Sequence, residues 1–145
     1  MRERYVLGFY FSHDRTRLLL IEKQKPVWQA GKLNGIGGKV EANDWGDAID
    51  AGVSGLVIAM CREFREEVGL ITEPADWREV TTLEGENWEV TVFVGFGHPD
   101  SAQHREVEQP VVVETAALPQ HLIPNLRWLI PMVLDNEVQG GRVLY

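Results

Sequence analysis

Between positions 62 and 70 the chain reads Arg62-Glu63-Phe64-Arg65-Glu66-Glu67-Val68-Gly69-Leu70. On a helix Glu63, Glu66 and Glu67 stand at i, i+3 and i+4 and share one face. Carboxylates held together repel one another unless a cation sits among them. Hard oxygen donors that converge this way suit Mg²⁺ or Mn²⁺, which bind a few carboxylates together with water and substrate phosphates. A solvated helix face is the competing interpretation of such a charge run. Two features weigh against it. Neither Arg62 nor Arg65 is placed to neutralise the whole cluster, and the glutamates fall in the C-terminal half of the helix, where the dipole penalises negative charge. Upstream, Gly35-Ile36-Gly37-Gly38-Lys39-Val40-Glu41 is a glycine-rich turn carrying a lysine and a carboxylate. Such a turn lets backbone groups approach a ligand closely. The two segments together point to metal-assisted phosphate chemistry.

Gly38-Lys39-Val40-Glu41 followed by Arg62 to Leu70 resembles the box of the Nudix hydrolases, whose second half is matched here at every fixed position. The resemblance extends to the strand order around the box. It implies a Nudix-type α/β/α sandwich, with a mixed β-sheet between helices. It also implies that Glu63, Glu66 and Glu67 ligate Mg²⁺ or Mn²⁺ with help from the carbonyl of Gly38. Arg62 would orient a neighbouring glutamate and Lys39 would lie near the phosphates. The implied reaction is hydrolysis of a nucleoside diphosphate linked to a group X, with Glu66, Glu67 or a later glutamate taking the proton of the attacking water. Glu106 and Glu108 lie where family members often place such a residue, and Glu108, nearer the following strand, is preferred as a metal ligand.

One departure is large: 23 residues separate Gly38 from Arg62, where the family's spacer is markedly shorter. The surplus falls in Glu41 to Gly55, a stretch rich in Asp, Asn and Gly that reads as an irregular acidic insertion. No register of it supplies the ligand order of an EF-hand. The family's structural glutamate becomes Asp44 counted forward from Gly38 and Ser54 counted backward from Arg62. The partner of Arg62 is therefore open among Asp44, Asp47 and Asp50.

Substrate contacts come next. Asn34 before the glycine turn, and Asn125 in Ile123-Pro124-Asn125-Leu126, resemble positions of the family branch that clears oxidised purine nucleoside triphosphates. An amide donates and accepts at once, as purine recognition needs. Local roles compete: Asn34 beside glycine is a turn residue, and Asn125 can cap a helix. Trp28 and Trp88 offer surfaces on which a base could stack, or simply fill the core. Ser12-His13-Asp14 has the composition of a triad, but consecutive side chains cannot converge on one relay. The histidines show no metal-ligand spacing, and Cys61 reads as a packing residue.

Positioning these groups requires a mixed α/β framework. Strands are expected at Tyr5 to Phe11, Arg17 to Glu22, Trp77 to Leu83, Trp88 to Gly97 and Val111 to Glu114. Helices are expected at Leu56 to Val68, closed by Gly69, and from Asn125 through Val133. Lys23 to Gly38 is too glycine-dense for regular structure. The chain of 145 residues, 44% hydrophobic and 25% charged, is expected to form one domain over 1–145. Its net charge of −8 excludes a protein that lives on a nucleic acid polymer. No stretch approaches the ~20 apolar residues of a bilayer span, no signal peptide is read, and the lone Cys61 forms no intrachain disulfide. A cytoplasmic location is expected.

The partner implied is a small nucleotide: a nucleoside triphosphate first, with ADP-ribose, nucleotide sugars and dinucleoside polyphosphates as alternatives. A nucleotide-binding module that kept the fold and lost efficient catalysis is the reading from another class. The acidic insertion is a candidate partner-docking or homodimer element.

Overall fold

The computed structural model describes residues 2–145. Its centre is an eight-stranded mixed sheet. The strands are β1 (Glu3–Ser12), β2 (Arg17–Glu22), β3 (Leu33–Asn34), β4 (Ile36–Lys39), β5 (Trp77–Glu84), β6 (Trp88–Gly97), β7 (Gln109–Glu114) and β8 (Gly141–Leu144). The path runs β3-β2-β1-β6-β5-β8, with β4 added on β1 and β7 on β2. β1–β6 and β5–β8 are parallel and the other pairs antiparallel.

Helices α1 (Ala42–Ala51), α2 (Gly55–Val68) and α3 (Leu126–Leu134) complete the fold. The period of two in the strands explains the layering. In β2, Leu18 and Leu20 face the core that holds Leu126, Leu129, Ile130 and Val133 of α3. Leu19 and Ile21 face the opposite core, with Met60, Phe64 and Val68 of α2. Burying every residue of a strand's apolar run needs helices on both faces, and the result is the expected α/β/α sandwich. Among the described residues no helix is long and apolar enough to cross a membrane.

Three expectations are corrected. The segment 23–38 is not wholly irregular. After a 3₁₀ turn at Val27–Gln29 it forms β3 and β4, and β4 pairs with β1 from Tyr5↔Lys39 to Gly8↔Ile36. Glycines suit this strand because a side chain at Gly37 would strike the backbone of β1. The acidic insertion is likewise ordered. Asp44 accepts from the backbone N–H of Glu41 at 2.8 Å, closing the first turn of α1, and Gly52 ends the helix in a left-handed conformation. Asp44 and Ala48, one turn apart, are buried, and Trp45 lies against Gly55 of α2. Finally β8, not expected at all, extends the sheet beside β5 from Thr81↔Gly141 to Glu84↔Leu144.

Candidate active site

The site is built where the end of β4 meets α2. Ser54 Oγ accepts from the N–H of Leu56 at 3.1 Å and Gly69 closes the other end in a left-handed conformation. Ala59, Met60 and Phe64 bury the helix's apolar stripe against the sheet. This anchoring holds the run Arg62 to Glu67 beside β4. The approach is close enough that a Cβ at Gly38 would overlap the carboxylate of Glu63. A side chain at position 38 would displace the Glu63 carboxylate, so glycine lets the backbone lie against a glutamate that the sequence predicts to be a ligand.

Arg62 organises the acidic groups. Its Nε and Nη2 donate to the two carboxylate oxygens of Asp44, each at 2.9 Å, and Nη2 also donates to the Lys39 carbonyl at 3.0 Å. Nη1 reaches Glu63 at 3.0 Å, Glu66 at 3.2 Å and Glu41 at 3.2 Å. The question of the arginine's partner is thus answered. Asp44, 1% exposed, takes the bidentate position, while Asp47 and Asp50 face solvent. Burial pushes the Asp44 carboxyl up, but the hydrogen bonds from Arg62 and from the Glu41 N–H, with the arginine's charge, hold it below its ordinary value. Burial dominates at Glu63 and raises it despite Arg62. Arg62 does not neutralise the whole cluster: it contacts Glu63 and Glu66, and among the three glutamates Glu67 alone has no contact with it.

Glu67 is half-buried, and its Oε2 is buried without a hydrogen-bond partner. Burial pushes this carboxyl up to about 7, the charges of Glu108 and Glu63 adding to the effect while Lys23 opposes it. Glu108 is buried; it receives Lys23 Nζ at 3.0 Å and the N–H of Gln24 at 2.7 Å. Those contacts, against the cost of burial, hold it below the ordinary value. Glu106 is exposed.

An orphaned carboxylate oxygen, a glutamate pressed on Gly38 and an all-oxygen donor set fit a hard divalent cation. The carboxylates are not preassembled, however. Glu63 and Glu66 are drawn onto Arg62, and among the described residues no three His, Cys, Asp or Glu side chains form a ready metal cage.

Beside this cluster lies a cavity of about 550 Å³ whose lining includes Trp28, Asn34, Gly38, Trp88, Asn125 and Tyr145. It brings together Trp28, Trp88, Asn34 and Asn125, the residues expected to offer a base contact, although both amides make local contacts as well. Trp28 stands 60% exposed at this cavity. Asn34 Oδ1 accepts from the N–H of Gly35 at 2.8 Å, the turn role foreseen for it, and its Nδ2 donates to Gln29 Oε1 at 3.4 Å. Asn125 occupies the residue before α3, but its side chain caps nothing. Its Nδ2 donates to Tyr145 Oη at 3.0 Å, and its Oδ1 is buried and unpartnered. The amide therefore does not present a free donor and acceptor side by side.

Lys39 departs from expectation. Its Nζ is held by Glu3 at 3.1 Å, in a separate surface cavity shared with Arg4 and Trp45, and only its carbonyl meets the cluster. Ser12 and Asp14 bond within the β1–β2 turn: Asp14 accepts from Ser12 Oγ at 2.6 Å and from the Thr16 N–H at 3.0 Å. Sequence reasoning missed Lys23 and Tyr145, which carry no spacing signal. They reach the site only through the pairing of β2 with β7 and of β5 with β8.

Comparison with known proteins by sequence finds no matching family model and no matching curated relative. Comparison of structures is productive. A MutT Nudix hydrolase from Burkholderia pseudomallei is similar over 92% of this chain and 98% of its own, with a TM-score of 0.66 and 22% identity. The mutator MutT protein from Bacillus halodurans is similar over 99% and 90%, with a TM-score of 0.64 and 18% identity. The Nudix domain of Shewanella oneidensis NrtR, solved with ADP ribose, is similar over 92% and 87%, with a TM-score of 0.67 and 13% identity. Likeness of this extent over nearly the whole chain is a likeness of fold: this chain has the fold of the Nudix hydrolases.

Proposed function

We propose that this chain is a divalent-metal-dependent Nudix pyrophosphohydrolase acting on a nucleoside diphosphate linked to X. A purine nucleoside triphosphate, oxidised forms included, is the first substrate to consider, with monophosphate and pyrophosphate as products. The observation that carries the reading is the Arg62 hub. One buried aspartate fixes the guanidinium, which holds Glu66 and holds Glu63 against Gly38, a residue that also lines the cavity of about 550 Å³, and leaves the buried Glu67 Oε2 without a partner.

Glu63, Glu66, Glu67 and the Gly38 carbonyl would hold the cation, with Glu108 contributing once released from Lys23. The chemistry a bound Mg²⁺ or Mn²⁺ supplies is polarisation of the phosphoryl oxygens and acidification of the attacking water. The chain's own residues do the rest. Arg62 positions two of the glutamates. Glu67, whose carboxyl sits near 7 without metal, or Glu66 accepts the water's proton. Trp28, Asn34 and Asn125 line the cavity that receives the base. Lys39 is given no phosphate contact, because Glu3 holds it.

ADP-ribose stands as the alternative substrate, since a protein of the same fold was solved with it. The binding-module reading draws on the carboxylates not being preassembled. Release of phosphate and pyrophosphate from a panel of nucleoside triphosphates, ADP-ribose, nucleotide sugars and a dinucleoside polyphosphate tests all three. Turnover with Mg²⁺ or Mn²⁺ names X from the best substrate. Nucleotide affinity without turnover would replace the enzyme by the module.

A further inference from the structure

We propose that Arg65 and Arg105 form the subsite for the group X of the substrate, and that X is itself a phosphate rather than a sugar. This rests on the reading above of a nucleotide hydrolase whose metal is held at Glu63, Glu66 and Glu67.

A second cavity, of about 490 Å³, opens on α2, and its lining includes Arg62, Arg65, Glu66, Glu73 and Arg105. It shares no lining residue with the cavity of about 550 Å³ proposed for the base. The glutamate run touches both: Glu63 lies against Gly38, which lines the first, and Glu66 lines the second. A substrate that extends from its base across the metal-binding carboxylates therefore delivers X to the second cavity. The segment after β6 completes that cavity by wrapping the end of α2. The N–H of Gln103 donates to the Val68 carbonyl at 2.8 Å, and Arg105 Nη1 donates to Gln103 Oε1 at 3.4 Å. A Cβ at Gly69 would stand 3.2 Å from that same Nη1, and the Gly69 N–H donates to the Arg65 carbonyl at 2.9 Å. Two arginines distant in sequence thus meet at one end of the glutamate helix.

Their charge is what selects the ligand. In a chain of net charge −8, Arg2, Arg4, Arg17, Lys23, Lys39 and Arg142 each rest on a carboxylate. Among the described residues Arg65 and Arg105 make no ion pair, and both are exposed. Of the carboxylates that share their cavity, Glu66 lies on Arg62 at 3.2 Å, and Glu73 pairs with neither arginine. A guanidinium presents a planar fork of N–H donors that matches phosphate oxygens in pairs. A terminal phosphate brings acceptor oxygens and negative charge to two such forks. The distal ribose of ADP-ribose, or the sugar of a nucleotide sugar, brings hydroxyls and no charge. Cations at the C-terminal end of a helix also oppose its dipole, but that role acts on stability and is indifferent to X.

The test measures binding of the α,β-methylene analogues of GTP and GDP, with Mg²⁺, by calorimetry. The two ligands differ only in the terminal phosphate. The wild-type protein should bind the triphosphate analogue at least about tenfold tighter, the worth of a charge-assisted hydrogen bond. Arg65→Gln and Arg105→Gln should each lower that ratio by about threefold or more, and the double variant by about tenfold, through the triphosphate analogue alone. Urea unfolding of the double variant should keep the wild-type midpoint, since neither guanidinium has an ionic partner in the fold. A role confined to the helix dipole would shift that midpoint and leave the ratio intact, which overturns the assignment. A loss shared equally by both analogues, or a wild type that turns over ADP-ribose faster than every triphosphate, overturns it while the proposed enzyme stands. Failure of both analogues to bind overturns the assignment and the nucleotide reading together.

Discussion

Replacing Glu67 by glutamine should make the metal-free protein more stable at alkaline pH while abolishing its activity. In the fold the Glu67 carboxyl is pushed up to about 7, chiefly by burial, and it returns to its ordinary 4.5 when the chain unfolds. A raised carboxyl means that the folded state binds the proton more tightly than the unfolded state. Stability contributed by this group therefore falls as pH rises from about 4.5 to 7, and the penalty persists above that window. A fully shielded carboxylate would cost about 3 kcal/mol. Glu67 is only half-buried, so water screens it, and we expect about 1–2 kcal/mol. Urea unfolding in chelator-containing buffer at pH 5 and pH 8.5 measures the effect. The variant should gain about 1–2 kcal/mol over the wild type at pH 8.5 and much less at pH 5. Millimolar Mg²⁺ should then stabilise the wild type and not the variant. A Glu67→Gln protein that is equally or less stable at pH 8.5 would refute the claim that this carboxylate is held at a cost for function.

Asp44→Ala leaves Arg62 without its bidentate partner and should destabilise the fold by about 2–4 kcal/mol in urea titrations. The depressed Asp44 carboxyl contributes stability above the ordinary aspartate value of 3.8, and that contribution is lost as pH falls through its lower folded value. Wild type and variant should therefore converge in strong acid. Gly38→Ala drives a Cβ into the Glu63 carboxylate; we expect kcat to fall by about tenfold or more, and a steady-state assay showing wild-type kcat would remove Gly38 from the site. Lys39→Ala should keep kcat/KM within about threefold, since its ammonium sits on Glu3 at 3.1 Å in an exposed pair worth little. A hundredfold loss would show that Lys39 swings onto the phosphates.

The chemistry was more legible in the sequence than its supports were. Glu63, Glu66 and Glu67 announce themselves because helical spacing is local, and the strands of β1, β2, β5 and β6 are legible through their apolar, β-branched and aromatic runs. The insertion reads as irregular because Asn43, Asp44, Gly46 and Asp47 favour turns when judged singly. What makes α1 a helix is non-local: Asp44 bonded to Arg62, Ala48 buried and Trp45 seated on Gly55. β3 and β4 hide in glycines that only the neighbouring strand explains. Lys39 shows the reverse failure. A residue placed by motif near phosphate is captured instead by Glu3, the first residue of β1, whose register the motif does not encode. Asn125 was expected either to cap α3 or to read a base edge; a tyrosine brought in by β8 changes what its amide can offer.

The measurement closest to the central claim is metal-dependent turnover of a purine nucleoside triphosphate by the wild type, Glu66→Gln and Glu67→Gln, with the products identified. The account predicts monophosphate and pyrophosphate from the wild type only with Mg²⁺ or Mn²⁺, and a loss of at least about a hundredfold in kcat in both variants. Equal rates in chelator, or variants as active as the wild type on the best substrate of the panel, would contradict it.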